Sequence, residues 1–101
     1  MSMTINTKQE GSKMTITLEG RLDTLTAPEL EEVIKEQLHG ITDLVFDLKD
    51  IAYVSSAGLR VLLAAQKVMN RQGNMVIRNA NEDVMEIFDV TGFVDILNIE
   101  S

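Results

Sequence analysis

The sequence predicts an α/β fold: a mixed β-sheet, mostly parallel with an antiparallel N-terminal edge hairpin, and about three to four helices. Two observations support this class. A segment near the N-terminus alternates polar and apolar residues, and the rest of the chain alternates short apolar runs with stretches of helical periodicity. Alternating strands and helices require crossover connections between parallel strands. The predicted element order is therefore β-β-α-β-α-β-α-β, and residues 1–101 are expected to form a single domain.

The N-terminal strands have the clearest period-2 pattern in the chain. Met14, Ile16 and Leu18 alternate with polar residues, as in a strand that buries one face. A turn-like segment separates them from a similar alternation nearer the N-terminus. Residues 3–19 are thus predicted to form an antiparallel hairpin, which Gly20 ends.

The first helix has both of its end signals in the sequence. Thr26-Ala27-Pro28-Glu29 has the form of a capping box with proline in the first turn, and Gly40 provides the stop. The strand after it, Leu44–Leu48, is apolar almost throughout. Such a run is typical of a central strand covered on both faces.

The second half of the chain repeats the strand–helix pattern. A helix is predicted from about Ala57 to Gln72, with Gly73 as its C-terminal stop, and a short buried strand follows. Asn81 has the residue type and position of an N-cap for a third helix, which Gly92 ends. The last residues are predicted to form a short strand or a helical turn.

The loops that follow the second and third strands, residues 20–25 and 49–56, are expected to meet, because the carboxyl ends of neighbouring parallel strands lie at one edge of a sheet. Asp23 and Thr24 would then face Ser55 and Ser56. A serine at a strand-to-helix turn caps the helix, and its hydroxyl also lies where the helix dipole favours an anion such as phosphate. Ser56 thus has two compatible interpretations, as an N-cap and as a phosphorylation site.

Composition and charge exclude several classes of function. The net charge of −7 argues against nucleic acid and anionic membrane surfaces as partners. With no cysteine and one histidine, the chain is expected to hold no metal, and no cofactor is expected. No apolar run is long enough to span a membrane and no signal peptide is evident, so a cytoplasmic location is expected.

The sequence favours a binding protein over an enzyme. A nucleophilic serine needs a base within hydrogen-bond reach. The only histidine, His39, is predicted at the end of the first helix, at the opposite edge of the sheet from Ser56. No glycine-rich phosphate loop and no catalytic pair of carboxylates stands out.

Three segments resemble the STAS domain family, as found in bacterial anti-sigma factor antagonists. Gly20–Leu30 and Ile51–Arg60 resemble the two signatures of the family, and Ile87–Phe93 resembles its closing helix and turn. The resemblance covers nearly the whole chain and implies a protein that works by partner switching. The unphosphorylated form binds an anti-sigma factor that is also a serine kinase, phosphorylation ends that binding, and a serine phosphatase restores it.

The resemblance also implies site residues. The best-known family pattern reads Asp-Ser-Ser/Thr-Gly, and here Ser55 stands at the Asp position and Ala57 at the second hydroxyl position. Ser56 is therefore the implied phosphorylation site, with Ser55 in reserve. The implied partner-binding residues are Asp23, Thr24, Tyr53, Val54, Ser55, Ser56, Ala57, Gly58 and Arg60.

Several of these residues also have ordinary structural explanations. Tyr53 and Val54 are either exposed interface anchors or buried residues of the core. Gly58 is either a packing glycine against a neighbouring strand or one that leaves room for a partner. Asp23 either caps a turn or contacts the partner. Arg60 is either solvated or paired, with Asp23 or with a phosphate on Ser56.

A second function stays open at this point: an unphosphorylated STAS-type subunit of a membrane transport assembly, which would bind an ATPase. The missing second hydroxyl at Ala57 fits this alternative. A nucleotide- or lipid-binding domain is a third alternative, for which the sequence offers little. No direct membrane contact is expected, and the chain is expected to be a monomer when alone.

Overall fold

The computed structural model describes residues 3–100. Its elements follow the predicted order, with a short 3₁₀ turn at Phe93–Asp95 before the last strand. The strands are β1 (Met3–Glu10), β2 (Lys13–Leu22), β3 (Asp43–Val54), β4 (Asn74–Arg78) and β5 (Ile99–Glu100). The helices are α1 (Ala27–Gln37), α2 (Ser56–Gln72) and α3 (Glu82–Val90).

The five strands form one mixed sheet in the order β1-β2-β3-β4-β5. β1 is antiparallel to β2, and each later strand is parallel to the strand before it. The predicted fold class, including the antiparallel N-terminal hairpin, is therefore confirmed.

The core lies between the helices and one face of the sheet. Ile16, Phe46 and Ile77 are cross-strand neighbours on this face, and all three are fully buried. Thr17 and Asp47 are paired on the opposite face and stay partly exposed. The prediction that the central strand β3 is covered on both faces holds only in part, since Val45, on the face opposite Phe46, is buried but lies outside the main core, and Asp47 on that face is partly exposed. The helices themselves lie on one face, because right-handed crossovers that all step in the same direction place their helices on the same face.

The two strands that carry the candidate site are longer than predicted. Gly20 does not end β2 but lies inside it, with a φ of 109°, and the strand continues to Leu22. β3 likewise continues to Val54, through a segment predicted as part of the loop 49–56. The connection from β3 to α2 is Ser55 alone.

Two β-bulges explain why β3 was predicted too short. β3 has one residue more than β2 after Asp47, and again after Ile51. Each extra residue shifts the alternation of side chains by one position. The buried residues Leu48, Ile51 and Val54 are therefore three apart rather than two, and a period-2 pattern stops at Leu48.

Asn81 supplies the predicted N-cap of α3 and also joins that helix to β3. Its Oδ1 accepts a hydrogen bond from the Val84 N–H at 2.9 Å, and its Nδ2 donates to the Ile51 carbonyl at 2.9 Å. Asn81→Ala is expected to lower the free energy of unfolding by about 2 kcal/mol, from the cap and the lost hydrogen bond together. Asn81→Asp keeps the cap oxygen and loses the donor, so an intermediate loss is expected. Urea titration measures both, and an Asn81→Asp variant as stable as the unchanged protein would contradict a role for the Ile51 contact.

Candidate functional site

The loops after β2 and β3 meet as predicted, because the two strands are parallel neighbours that end side by side. β2 ends at Leu22, whose carbonyl accepts a hydrogen bond from the Ser55 N–H at 2.8 Å. α1 and α2 both begin at this edge of the sheet. Between their first turns lies a shallow groove lined in part by Thr24, Ala57 and Arg60, so the edge brings these three predicted site residues together.

Ser55, and not Ser56, is the N-cap of α2. The Ser55 backbone is extended, its Oγ accepts from the Gly58 N–H at 3.2 Å, and its carbonyl accepts from the Leu59 N–H at 2.8 Å. The N-cap interpretation of Ser56 is therefore wrong. Ser56 is the first residue of the helix, and it is exposed. Serine and aspartate are both favoured N-caps, which gives Ser55 a structural reason to stand where the family pattern has Asp.

Two of the predicted partner-binding residues, Val54 and Gly58, are buried. The Val54 side chain is 2% exposed and belongs to the core. A Cβ added to Gly58 would lie 2.7 Å from both the carbonyl oxygen and the Cγ of Leu22, so glycine lets α2 begin directly against β2. The packing interpretation of Gly58 accounts for this residue. Val54 is buried because the second bulge of β3 turns it into the core, and Gly58 is covered by Leu22, so neither residue offers an exposed side chain to a partner.

Asp23 organises the turn between β2 and α1. Its Oδ1 accepts hydrogen bonds from the N–H of Leu25 at 3.0 Å and from the N–H of Thr26 at 3.2 Å. The Thr26 hydroxyl donates to the Arg21 carbonyl at 2.7 Å and makes no cap bond to the helix. The predicted capping box at Thr26–Glu29 is therefore wrong, because the end of β2 takes the threonine hydroxyl. Asp23 does cap a turn, which is one of its two interpretations.

Arg21, which sequence analysis did not single out, faces Asp23. Arg21 Nε lies 3.6 Å from Asp23 Oδ2, and the guanidinium carbon lies 4.6 Å from the centre of the Tyr53 ring. Arg21 and Tyr53 are cross-strand partners in register positions set by the second bulge of β3. Asp23 thus pairs with Arg21, while Arg60 is exposed. No signal in the sequence reveals the contact between Arg21 and Tyr53, because the register depends on the bulges. Arg21 and Asp23 are only two residues apart, a spacing that places side chains on the same side of an extended chain.

The hydrogen bonds at this turn change the acidity of Asp23. Burial raises the pKa of Asp23. The N–H groups of Thr26 and Leu25, the Thr26 hydroxyl and the nearby Arg21 guanidinium together outweigh burial and hold the pKa below its ordinary value of 3.8. Because the folded pKa is depressed, the stabilisation by this carboxylate is complete above pH 3.8 and is lost as the pH falls through the lower, folded value.

A pH-dependent stability difference is therefore expected for substitutions of Asp23. Asp23→Ala is expected to lower the melting temperature near neutral pH, and the gap from the unchanged protein is expected to narrow below pH 3.8. Asp23→Asn has no charge but keeps an oxygen that can accept the hydrogen bonds from Leu25 and Thr26. It therefore separates the effect of the charge on stability from the effect of the hydrogen bonds in the turn. Thermal melts followed by circular dichroism across this pH range measure the gap, and a gap that does not vary with pH would contradict the role of the charge.

Two large apolar side chains are exposed at this edge of the sheet. Leu25 is 77% exposed in the turn that Asp23 organises, and Tyr53 is 38% exposed beneath Arg21. Apolar and aromatic side chains held in fixed positions are typical anchors of protein interfaces. Sequence analysis included Tyr53 and missed Leu25, whose only signal is that it precedes α1 outside the buried stripe of that helix.

His39 lies beyond the far end of α1, an eleven-residue helix, which is about 16 Å long. Among residues 3–100, no three histidine or carboxylate side chains come together as metal ligands would. None of the helices of the described residues is long and apolar enough to cross a membrane.

The fold and the site together define a small α/β domain with an exposed serine at the start of a helix and two exposed apolar side chains beside the same sheet edge. The family model of the STAS domain matches residues 4–101, and the chain belongs to this family. Membership makes it a regulatory binding protein rather than an enzyme.

Similar proteins are anti-sigma factor antagonists. The anti-sigma-B factor antagonist of Bacillus subtilis (strain 168) is 30% identical over 102 residues, which cover 100% of this chain and 94% of that protein. The crystal structure of an anti-sigma factor antagonist from Mycobacterium paratuberculosis has a TM-score of 0.86 at 20% identity, covering 96% of this chain and 84% of that one. The Bacillus cell fate determinant SpoIIAA in the phosphorylated form has a TM-score of 0.75 at 14% identity, covering 97% and 92%. Both structures support the fold.

Proposed function

We propose that this chain is an anti-sigma factor antagonist that is switched off by phosphorylation of Ser56. In the unphosphorylated form it binds an anti-sigma factor that is also a serine kinase, and a serine phosphatase reverses the modification. The single observation that carries the proposal is that the two neighbouring serines differ in what surrounds them. The Ser55 hydroxyl is engaged with the Gly58 N–H, whereas Ser56 is exposed at the first position of α2.

The position of Ser56 suits a switch that leaves the fold unchanged. A phosphate adds about −1.5 to −2 charges at neutral pH, and the N-terminus of a helix accommodates negative charge. Arg60 lies four residues further along α2 and is exposed, so its guanidinium is within one helical turn of the phosphate. The modified chain is therefore expected to stay folded, and the added charge is expected to act on the partner.

The proposed partner surface surrounds Ser56 at the carboxyl edge of β2 and β3. It has apolar anchors at Leu25 and Tyr53, and both are exposed. Polar contacts come from the turn after β2 and the first turn of α2. A new negative charge among such contacts costs several kcal/mol when the partner has no group to neutralise it. The proposed contact residues are Asp23, Thr24, Leu25, Tyr53, Ser55, Ser56, Ala57 and Arg60.

The relatives support this function over the transport-assembly alternative. One curated relative that covers the whole chain is an anti-sigma-B factor antagonist, and SpoIIAA is described in a phosphorylated form. We propose that the chain acts as a monomer, and that it acts in the cytoplasm, where a serine kinase has access to ATP.

The test is the identity of the modified residue. The whole chain is incubated with its cognate anti-sigma factor and ATP, and the phosphorylated peptide is sequenced by mass spectrometry. One phosphate is expected, on Ser56, and none on a Ser56→Ala variant. Ser55→Ala is the matched control: it is expected to lose about 1 kcal/mol of stability with the cap and still to accept the phosphate.

Two outcomes would reject the proposal. Phosphate on Ser55 or on a residue away from α2 would reject the site. Stable binding of the kinase without any phosphate transfer, in a reaction that modifies a second substrate of the same kinase, would reject the switch and favour an unphosphorylated binding subunit.

A further inference from the structure

The outer face of α3 carries an apolar groove with an acidic rim, here named the α3 groove. Its volume is about 400 Å³, and it shares no lining residue with the groove beside Ala57 and Arg60. The α3 residues that line it follow the spacing of a single helical face. The apolar floor is formed by Ala80, Met85 and Val94, and the rim by Glu82, Glu86 and Asp89.

Apolar exposure is concentrated in the segment that begins at the end of α3, and one of its residues, Val94, lines the groove. Val90 is 75% exposed, Val94 39% and Ile96 48%. These are three of the five large apolar side chains that stand out as exposed among residues 3–100, and they lie within seven residues of one another. A cluster of this kind is typical of an interaction surface, whereas single exposed apolar residues are not.

The segment that supplies most of the groove carries charge of one sign. Five of the sixteen acidic residues lie between positions 82 and 95, and none of the nine basic residues does. The nearest basic side chain along the chain, Arg78, is already paired with Glu100 at 2.8 Å. An apolar floor inside an acidic rim is complementary to a helix with one apolar face flanked by Lys or Arg.

We propose that the α3 groove is a second docking surface, for a basic amphipathic helix of a protein partner. A second copy of this chain is a poor occupant, because a symmetric pair would place Glu82, Glu86 and Asp89 against their own counterparts. An anionic membrane surface is repelled for the same reason. The proposal goes beyond the switch at Ser56 and does not depend on it.

The test uses a synthetic amphipathic peptide of leucine and lysine. A length of about 14 residues gives a helix of about 21 Å, longer than α3 with its nine residues. The whole chain, labelled with ¹⁵N, is titrated with this peptide and with a matched peptide in which glutamate replaces lysine. Saturable binding in the micromolar range is expected for the lysine peptide alone, with amide shifts confined to residues 80–96.

Two substitutions probe the floor and the rim of the groove. Val94→Asp and Glu86→Lys are each expected to weaken binding of the lysine peptide about 10-fold or more. Both residues are exposed. Val90, which follows the lining residue Asp89 in the sequence, provides a second apolar variant, Val90→Asp, should Val94→Asp fail to fold. Glu36→Lys makes the same charge change on α1 and is the matched control. Ser56→Asp is expected to leave peptide affinity unchanged, which separates this proposal from the switch.

Helix α1 provides an internal control for charge alone. It carries four glutamates, and none of its residues is a large exposed apolar side chain. Shifts of equal size in α1 and α3, or binding that never saturates, would overturn the proposal. A concentration-dependent dimer of the free chain, dispersed by Val90→Asp in sedimentation, would assign the groove to a second copy and overturn it as well.

Discussion

Replacement of Ser56 by aspartate is expected to weaken binding to the anti-sigma factor about 100-fold and to leave the fold intact. A 100-fold loss is about 2.7 kcal/mol, which is within the cost of placing one unmatched charge inside an interface. The same charge lies at the positive end of the α2 dipole, so the free energy of unfolding is expected to stay unchanged or to rise by about 0.3–1 kcal/mol. A loss of binding with no loss of stability is the signature of a switch residue.

Isothermal titration calorimetry with the anti-sigma factor measures the loss, and urea titration measures the stability. Ser56→Ala removes the hydroxyl without adding charge and is expected to bind nearly as well as the unchanged chain. Gln37→Glu adds the same charge at the exposed far end of α1 and is the matched control for net charge. Undiminished affinity of the Ser56→Asp variant would show that the partner does not cover this residue.

The largest loss of stability is expected from Gly73→Ala, at the C-terminal end of α2. A Cβ at this position would overlap the Thr42 carbonyl oxygen and lie 2.6 Å from the carbonyl carbon. The same carbonyl accepts a hydrogen bond from the Asn74 N–H at 2.8 Å. The backbone at Thr42 therefore cannot move away from an added Cβ without breaking that hydrogen bond. The free energy of unfolding is expected to fall by about 3 kcal/mol, the upper part of the range for overpacking. The whole free energy of unfolding of a small domain is only about 5–15 kcal/mol, so this loss is a large part of it.

Gly40→Ala is the matched control for this substitution. Gly40 has a positive φ of 81°, and no atom lies within 4 Å of an added Cβ. Only backbone strain opposes alanine there, at a cost of about 1–2 kcal/mol. Urea denaturation of the two variants separates close contact from strain, and a Gly73→Ala variant no less stable than Gly40→Ala would contradict the close approach of α2 to Thr42.

Local sequence signals predicted the features that depend on neighbouring residues. The element order follows from alternation and helical periodicity, and the N-cap at Asn81 follows from residue type and position. The loops that contain Asp23 and Ser56 meet because β2 and β3 are neighbours in the sheet. This could be predicted, since strands that follow one another in the sequence usually lie side by side. Ser56 could also be singled out from the sequence, because it lies where a predicted strand is followed by a predicted helix.

The sequence by itself thus determined the fold class, the acidic surface and the serine pair at the start of α2. Only the tertiary structure decided which serine caps the helix, that Arg21 lies over the Tyr53 ring, and that Val54 is buried. The physical reason is register. Two bulges in β3 each shift the strand by one residue against β2, two residues in all. Which residues meet across the strands depends on this total shift, and no local sequence pattern shows it.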